Sequence, residues 1–464
     1  MDRRSFFKTL GAASAAAPMA KAAAQTPSPP NILFILLDDM GWTDLGCYGS
    51  DLYETPAIDR LAEEGMRFTD AYAACTVCSP SRAAVLTGNY PARIHLTDWI
   101  HGHSRPKAKL LPPEWTHHLP LEERTFARVL RENGYATAHV GKWHLGSEEY
   151  WPLEHGFDLN IGGYEKGQPP SYFYPYTRPG SNNPRIPTLS GGEEGEYLTD
   201  RLTDEAIQFI ERNANRPFCL YLSHYAVHTP IQSKEEWTKH YRERVKEDGR
   251  HQNPAYAGMI HSVDEGVGRL LETLDRLNIS DNTLIVFTSD NGGLMRITTN
   301  APLRAGKGSA YEGGVRVPLI ARWPNGVSSG TVSSEPVTGV DFFPTILEVC
   351  GAAPESVDGL SLAPLFGDPS AQLDRDAIYW HYPHYHPGGA SPYGTARARD
   401  WKLVEFFEDD RTELYRVGND IGESEDLSSK EARRTNDMLS MLQDWRAEVK
   451  AQLPVPNPNY EPPE

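Results

Sequence analysis

The stretch NILFILLDDMGW, residues 31–42, decides how the rest of the chain is read. Six apolar residues, 32–37, follow one another without a break, and two carboxylates, Asp38 and Asp39, close the run. A half-buried strand alternates apolar and polar positions, whereas an unbroken run of this length reads as a strand covered on both faces. The Pro-rich linker TPSPP (residues 26–30) leads straight into it.

The same theme returns three times after a helical pattern. RTFARVLRENGYATAHVGKWHLG (124–146) reads as a helix closed near Gly134 and a strand ending at Gly141-Lys142. LTDRLTDEAIQFIERNANRPFCLYLSHYAVHTP (198–230) reads as a longer helix and a strand ending near His224. MIHSVDEGVGRLLETLDRLNISDNTLIVFTSDNGG (259–293) repeats the unit and ends at Asp290-Asn291. Helices alternating with apolar strands predict an α/β fold, a large mostly parallel sheet sandwiched by helices. Polar residues follow each strand directly. In open parallel sheets that carboxyl edge is where ligands bind, so Asp38-Asp39, Lys142, His144, His228 and Asp290-Asn291 are expected to meet in one crevice.

Past residue 370 the pattern changes. AIYWHY (377–382), ARDWKLVEFF (398–407) and TELYRV (412–417) are short aromatic-rich strand candidates, and residues 430–450 read as a helix. They predict a smaller C-terminal subdomain, an antiparallel sheet with one packing helix. The Gly/Pro/Ser/Asn-rich residues 162–195 read as a long surface loop at a pocket rim.

The 464 residues fit one large domain with an appendage, and the net charge of −18 argues against a nucleic-acid partner, which needs a basic surface. Residues 1–24, with Arg3-Arg4, Phe6-Phe7-Lys8 and an Ala-rich tract ending in small residues, form a twin-arginine export signal. The expected organisation is a signal over 1–24, a catalytic domain over 25–370 and the C-terminal subdomain over 371–464. The mature chain has no apolar run long enough to span a membrane, and the location expected is the periplasm or the cell exterior, reached through the twin-arginine translocon. Five cysteines, Cys47, Cys75, Cys78, Cys219 and Cys350, are too few for a disulfide scaffold. Cys75 and Cys78 have the spacing of a thiol redox pair, yet Cys78 also opens CSPSR at the start of an apparent helix.

CSPSR (78–82) followed by AAVLTGNYPAR closely resembles the sulfatase signature, and the further pieces LLDDMGW, GKWHLG, HTP, SDNGG and GKGSAYEGGVRVP appear in order. The likeness spans roughly residues 31–430 and ends with TELYRVGNDIGESEDL. It implies a formylglycine-dependent sulfuric ester hydrolase in which Cys78 is oxidised to an aldehyde by a formylglycine-installing enzyme. Hydrated, that residue attacks sulfur and then eliminates sulfate. The resemblance further implies a calcium ion, with magnesium as the alternative, held by Asp38, Asp39, Cys78, Asp290 and Asn291. That oxygen-rich set suits a hard cation. Arg82 and Lys142 would hold the hydrated residue and the sulfate, His144 would act as base, and His228 or Lys307 would stabilise or protonate the leaving alkoxide. Arg316 reads as a structural partner of an acid.

Specificity is expected from a rim made of residues 98–107, 162–195 and YWHYPHYHPGGASPYG (379–394), whose His381, His384 and His386 are candidate sugar contacts. The layout resembles carbohydrate sulfatases of bacterial glycan degraders, which implies a sulfated sugar such as 4-sulfated galactose or N-acetylgalactosamine. The competing readings are a phosphonate or phosphodiester hydrolase of the same superfamily, an inactive glycan-binding protein, and a thiol oxidoreductase in which Cys75 matters as much as Cys78.

Overall fold

The computed structural model describes residues 29–462; the export signal expected over residues 1–24 lies outside them. Eight strands build the main sheet: β1 (Asn31–Leu37), β2 (Met66–Phe68), β3 (Ala136–Gly141), β4 (Leu159–Ile161), β5 (Phe218–Ser223), β6 (Thr283–Ser289), β7 (Leu319–Arg322) and β8 (Thr331–Ser333). Their spatial order is β8-β2-β7-β6-β1-β5-β3-β4. All neighbours pair in parallel except those of β7, which runs antiparallel to both β6 and β2. The mostly parallel α/β sheet read from the apolar runs is therefore present. The short outer strands β2, β4, β7 and β8 carry too little pattern to be seen in the sequence.

β1 lies at the centre, and its alternate side chains enter two separate cores. Leu33, Ile35 and Leu37 pack on one face against helices α1 (Pro56–Glu64), α4 (Leu198–Asn213) and α5 (Pro254–Arg276). Ile32, Phe34 and Leu36 pack on the other against α2 (Cys78–Thr87), α3 (Phe126–Glu132) and α6 (Phe342–Val349). None of the six has more than 1% of its surface exposed, which is why the run shows no alternation.

The C-terminal sheet has four antiparallel strands in sequential order, β9 (Ile378–Tyr382), β10 (Tyr393–Ala398), β11 (Trp401–Phe406) and β12 (Arg411–Arg416). The sequence patterns give three of them. β10, YGTARA, carries Gly394 and two alanines and lacks the aromatic content that marks its neighbours. Helix α7 (Ala432–Glu448) packs Met438, Leu442 and Trp445 on this sheet, and Ala74 and Ala84 from either side of the start of α2 join the same core. The small sheet thus backs the helix that begins at Cys78. Residues 162–195 form no long helix or strand and run largely over the surface as expected, anchored by Tyr164, Tyr172, Tyr176 and Ile186, which are buried in the main core. Among the described residues no helix is long and apolar enough to cross a membrane.

Phe34 joins the sheet to two helices through ring contacts with Phe342 at 5.1 Å, Tyr221 at 5.5 Å and Phe126 at 6.2 Å. Phe34→Ala is expected to lower the unfolding free energy by about 3–5 kcal/mol in denaturant titration; a loss below about 1 kcal/mol would contradict this core assignment.

Candidate active site

Three strand ends and one helix start meet at the carboxyl edge of the main sheet. The parallel register pairs Leu37 with Ser289 and Gly141 with Ser223, so the residues that follow, Asp38, Asp290 and Lys142, leave the sheet together. Gly141 has φ 108°, and a Cβ there would overlap the Ser223 carbonyl oxygen, so the turn into Lys142 requires glycine. Asp39 and His144 sit at φ 62° and 58°, a region that side chains with a Cβ rarely adopt. The sequence between them places Trp143 in the core and leaves Lys142 and His144 on the site.

Six charged groups interlock here. Lys142 Nζ donates to Asp38 Oδ2 at 2.7 Å, and Arg82 Nε donates to Asp290 Oδ2 at 2.9 Å. Arg82 also lies 3.7 Å from Asp38 Oδ1 and donates to the Lys142 carbonyl at 3.1 Å and to Ser223. The Lys307 ammonium donates to Asp39 Oδ1 and reaches Cys78 Sγ at 3.2 Å, while Sγ is 3.6 Å from Asp38 Oδ1. Arg82 and Lys142 are almost wholly buried, as are the three carboxylates. Three carboxylates therefore face three cations, a set in which losing any one partner strands a buried charge.

Protonation follows from burial and neighbours. Burial raises the Asp38 carboxyl to about 7 against the pull of Lys142, whereas for Asp39 burial is outweighed by its charged neighbours, Lys307 first, which hold it well below the carboxylate range. Burial would lower Lys307, but Asp39 keeps it firmly charged. Burial and then Lys142 hold His144 well below its ordinary value, so its imidazole is neutral. Its Nε2–H donates to the Ile100 carbonyl at 2.6 Å, which leaves a lone pair on Nδ1, a buried atom with no hydrogen-bond partner among the described residues. Burial likewise lowers His228 to about 3. Its Nδ1–H donates to the Thr229 carbonyl at 2.9 Å, and Nε2 faces Asp39 Oδ2 at 3.6 Å, two acceptors with no proton between them.

These groups could hold a cation. Ligand atoms of Asp38, Asp39, Cys78 and His228 lie within 4.8 Å of one another. The Asn291 side chain donates to Asp39 Oδ1 at 2.8 Å, while its own Oδ1 is buried with no partner among the described residues. Asp290 is nearby, its Oδ1 accepting from the Asp39 backbone at 3.2 Å, but its other oxygen is taken by Arg82. His228 enters this group where the sequence pattern had reserved it for the leaving group.

Above Cys78 opens a cavity of about 550 Å³ whose lining includes Asp39, His144, His228 and Lys307. Its walls come from Trp99 and Ile100, from residues 166–168, from Asn182 and Asn183, from Leu294 and Arg296, and from residues 386–388. Of the three histidines expected at the rim, His386 alone lines the cavity. His381 is buried and bonded to the Gln452 carbonyl at 2.8 Å, and His384 is buried against Thr97 at 2.8 Å and Trp115, so neither is placed for substrate contact. The alternation of β9 turns His381 toward α7 and its tail. Arg316 pairs with Asp70 at 3.0 Å and Glu312 at 3.1 Å, a structural role as expected.

Cys75 is no partner for Cys78. Both are unbridged. Cys75 packs with Val77, Ala310, Tyr382 and Val404, and burial pushes its thiol up to about 12, so it carries no thiolate at neutral pH. Of the remaining cysteines Cys219 is fully buried, and Cys47 and Cys350 are half-buried. Ser79 was not singled out by any sequence motif. Its hydroxyl donates to the His144 carbonyl at 2.9 Å and accepts from the Ile100 amide at 3.1 Å, which ties the helix start to both ends of the His144 hydrogen bond.

The chain matches the family model for sulfatases over residues 30–352 and the model for N-sulphoglucosamine sulphohydrolase, C-terminal, over residues 306–451. It is 38% identical to N-acetylgalactosamine-6-sulfatase of Canis lupus familiaris over 368 residues, 74% of this chain and 67% of that protein. A sulfatase of Formosa agariphila is 32% identical over 470 residues, 86% of this chain and 84% of its own length. The crystal structure of Ps i-CgsB in complex with k-i-k-neocarrahexaose superposes with a TM-score of 0.77 at 34% identity, covering 93% of this chain and 95% of that one. Cys78, at a helix start and flanked by interlocked acids and cations, lies within the stretch that the sulfatase family model matches. The chain belongs to the sulfatase family and is a sulfuric ester hydrolase.

Proposed function

We propose that the chain releases sulfate from a sulfated carbohydrate, with formylglycine made from Cys78 as nucleophile and a divalent cation, calcium or magnesium, beside it. The observation that carries this reading is the position of Cys78 Sγ at the cavity floor, between Lys307 Nζ at 3.2 Å and Asp38 Oδ1 at 3.6 Å. Support for a sugar comes from relatives named N-acetylgalactosamine-6-sulfatase and from the oligosaccharide in the Ps i-CgsB complex.

Asp38, Asp39, Asp290 and Asn291 would hold the cation, and the unpartnered Asn291 Oδ1 fits that role. When bound, such an ion polarises a sulfate oxygen and favours the deprotonated form of a neighbouring hydroxyl. The chain's own groups do the rest. Lys142 and Arg82, fixed by Asp38 and Asp290, keep residue 78 among positive charges. The α2 N-terminus presents backbone N–H groups to an anion. Lys307, kept charged by Asp39, would stabilise a leaving oxygen as it gains charge, and the bare Nδ1 of neutral His144 is an acceptor for a proton beside Cys78. The export signal over residues 1–24 supports passage of the folded, already modified chain to the periplasm or beyond.

Mass spectrometry of the peptide around Cys78 is expected to find aldehyde in place of thiol, and Cys78→Ala to lose about 10⁴-fold or more in kcat on an aryl sulfate. Cys75→Ser is expected to stay within about threefold of the parent, since its cost falls on packing; equal loss in both variants would favour thiol chemistry. Higher efficiency on an aryl phosphodiester than on the aryl sulfate would move the assignment to a phosphodiester hydrolase. A panel of 4- and 6-sulfated galactose and N-acetylgalactosamine then reads the preferred sulfate position.

The cation is tested apart from turnover. Calcium added to chelator-treated protein at a hundredfold over its Kd is expected to raise the unfolding free energy by about 2.7 kcal/mol. Asn291→Ala is expected to weaken that calcium response about tenfold in concentration; a response identical to the parent's would remove Asn291 from the ligand set.

A further inference from the structure

Two cations at the cavity mouth have no work inside the protein. Lys166 and Arg296 both line the cavity, yet neither forms an ion pair or hydrogen bond among the described residues. The cations at the floor and beneath it differ. Lys307 is held by Asp39, while Lys142 and Arg82 are held by Asp38 and Asp290. Asp39 is the one carboxylate lining the cavity among the described residues, and it is already engaged by Lys307 and His228. Every charge on the floor is thus answered, and the mouth keeps two that are not.

Both cations stand on segments anchored to the catalytic groups. Lys166 precedes Gly167, which lies so close to the His144 ring that a Cβ there would overlap it. Arg296 sits in a turn in which the Ile297 and Thr298 amides bond the Leu294 carbonyl at 2.8 and 3.1 Å, and the Gly293 carbonyl just before that turn accepts the Lys307 amide at 3.1 Å. A different segment supplies an aromatic wall, where Trp99 meets the His386 ring edge-on at 5.4 Å. In a chain of net charge −18 a polyanionic ligand is repelled at long range, so two uncompensated cations at the mouth set the local potential that such a ligand meets.

The geometry points to a second anion subsite. Lys166 and Arg296 take a sulfate or a uronate carboxylate on the sugar next to the one that loses its sulfate. The substrate class is then a glycan bearing at least two anions. This rests on the sulfated-carbohydrate reading above.

The test separates the two. Oligosaccharides carrying one sulfate, two sulfates, or one sulfate and one uronate are titrated by calorimetry into the calcium-loaded Cys78→Ala chain, which does not consume them. At least one doubly charged ligand is expected to bind about tenfold more tightly than the singly sulfated one, at the scale of two exposed ion pairs. The gap is expected to shrink with added salt and to close in the chain that also carries Lys166→Gln and Arg296→Gln. A gain from the second sulfate alone, or from the carboxylate alone, supports the subsite and identifies its anion. Equal affinity for all three ligands, or a gap that survives in the double variant, overturns it. A gap that closes in the double variant, together with no sulfate released from any of the three by the unsubstituted enzyme, would keep the subsite and overturn the sulfated-carbohydrate reading.

Discussion

The site depends on the register of four parallel strands. Leu37 stands beside Ser289 on one side, and Leu36 and Gly141 stand beside Ser223 on the other. One residue further on, the hydrogen-bond ladder ends and the chain is free to turn. The side chains released there, Asp38, Asp290 and Lys142, arrive within ion-pair distance of Arg82 or of each other because backbone pairing has already fixed their separation. A slip of one residue in any of these strands would send the apolar set to the wrong core and the carboxylate away from its partner. Core and site are therefore specified by the same alternation.

Burying six charges is costly, and the arrangement offsets that cost by pairing. Desolvation dominates for Asp38, whereas the neighbouring cations dominate for Asp39. Two adjacent carboxylates in one turn are thereby driven in opposite directions, an imbalance that a further positive charge would relieve. The neutral His228 Nε2 facing Asp39 and the bare Asn291 Oδ1 are further acceptors turned to the same place. Rigidity for this cluster comes partly from behind. The C-terminal sheet sends Trp380 Nε1 to the Ala73 carbonyl at 2.8 Å and buries Lys402 between Glu312 at 2.9 Å and Glu423 at 3.0 Å, so the segments carrying Cys78 and Lys307 are held from the far side.

How much was legible in the sequence follows from which residues act locally. The central strands and their polar ends were readable, because a run buried on both faces and a charge at its end both leave marks in one dimension. The motif residues Cys78, Arg82, Lys142, His144, His228 and Lys307 all surround the same floor. What stayed hidden is decided by tertiary contact. β10 escaped because Gly394 and its alanines gain strand character only from the neighbours β9 and β11. Three similar histidines in one aromatic run gave no sign that β9 would bury His381, that Thr97 would claim His384, and that only His386 would reach the cavity. Ser79 carried no signal of its own inside CSPSR, since its partners lie at Ile100 and His144.

Floor and mouth also differ in how freely they vary. Floor residues are locked to one another through ion pairs and to the sheet through register, so a change at one disturbs the rest. Ser79 extends that lock outward. By holding the His144 carbonyl and the Ile100 amide it sets the two backbone positions between which the His144 Nε2–H bond runs, and that bond decides which imidazole nitrogen keeps its lone pair. Lys166 and Arg296 lie beyond the lock. Among the described residues they pair with no other charge, and their loops are fixed through contacts at Gly167 and Gly293 that do not involve their side chains. A substitution at either position alters what the cavity attracts without disturbing how the floor is charged.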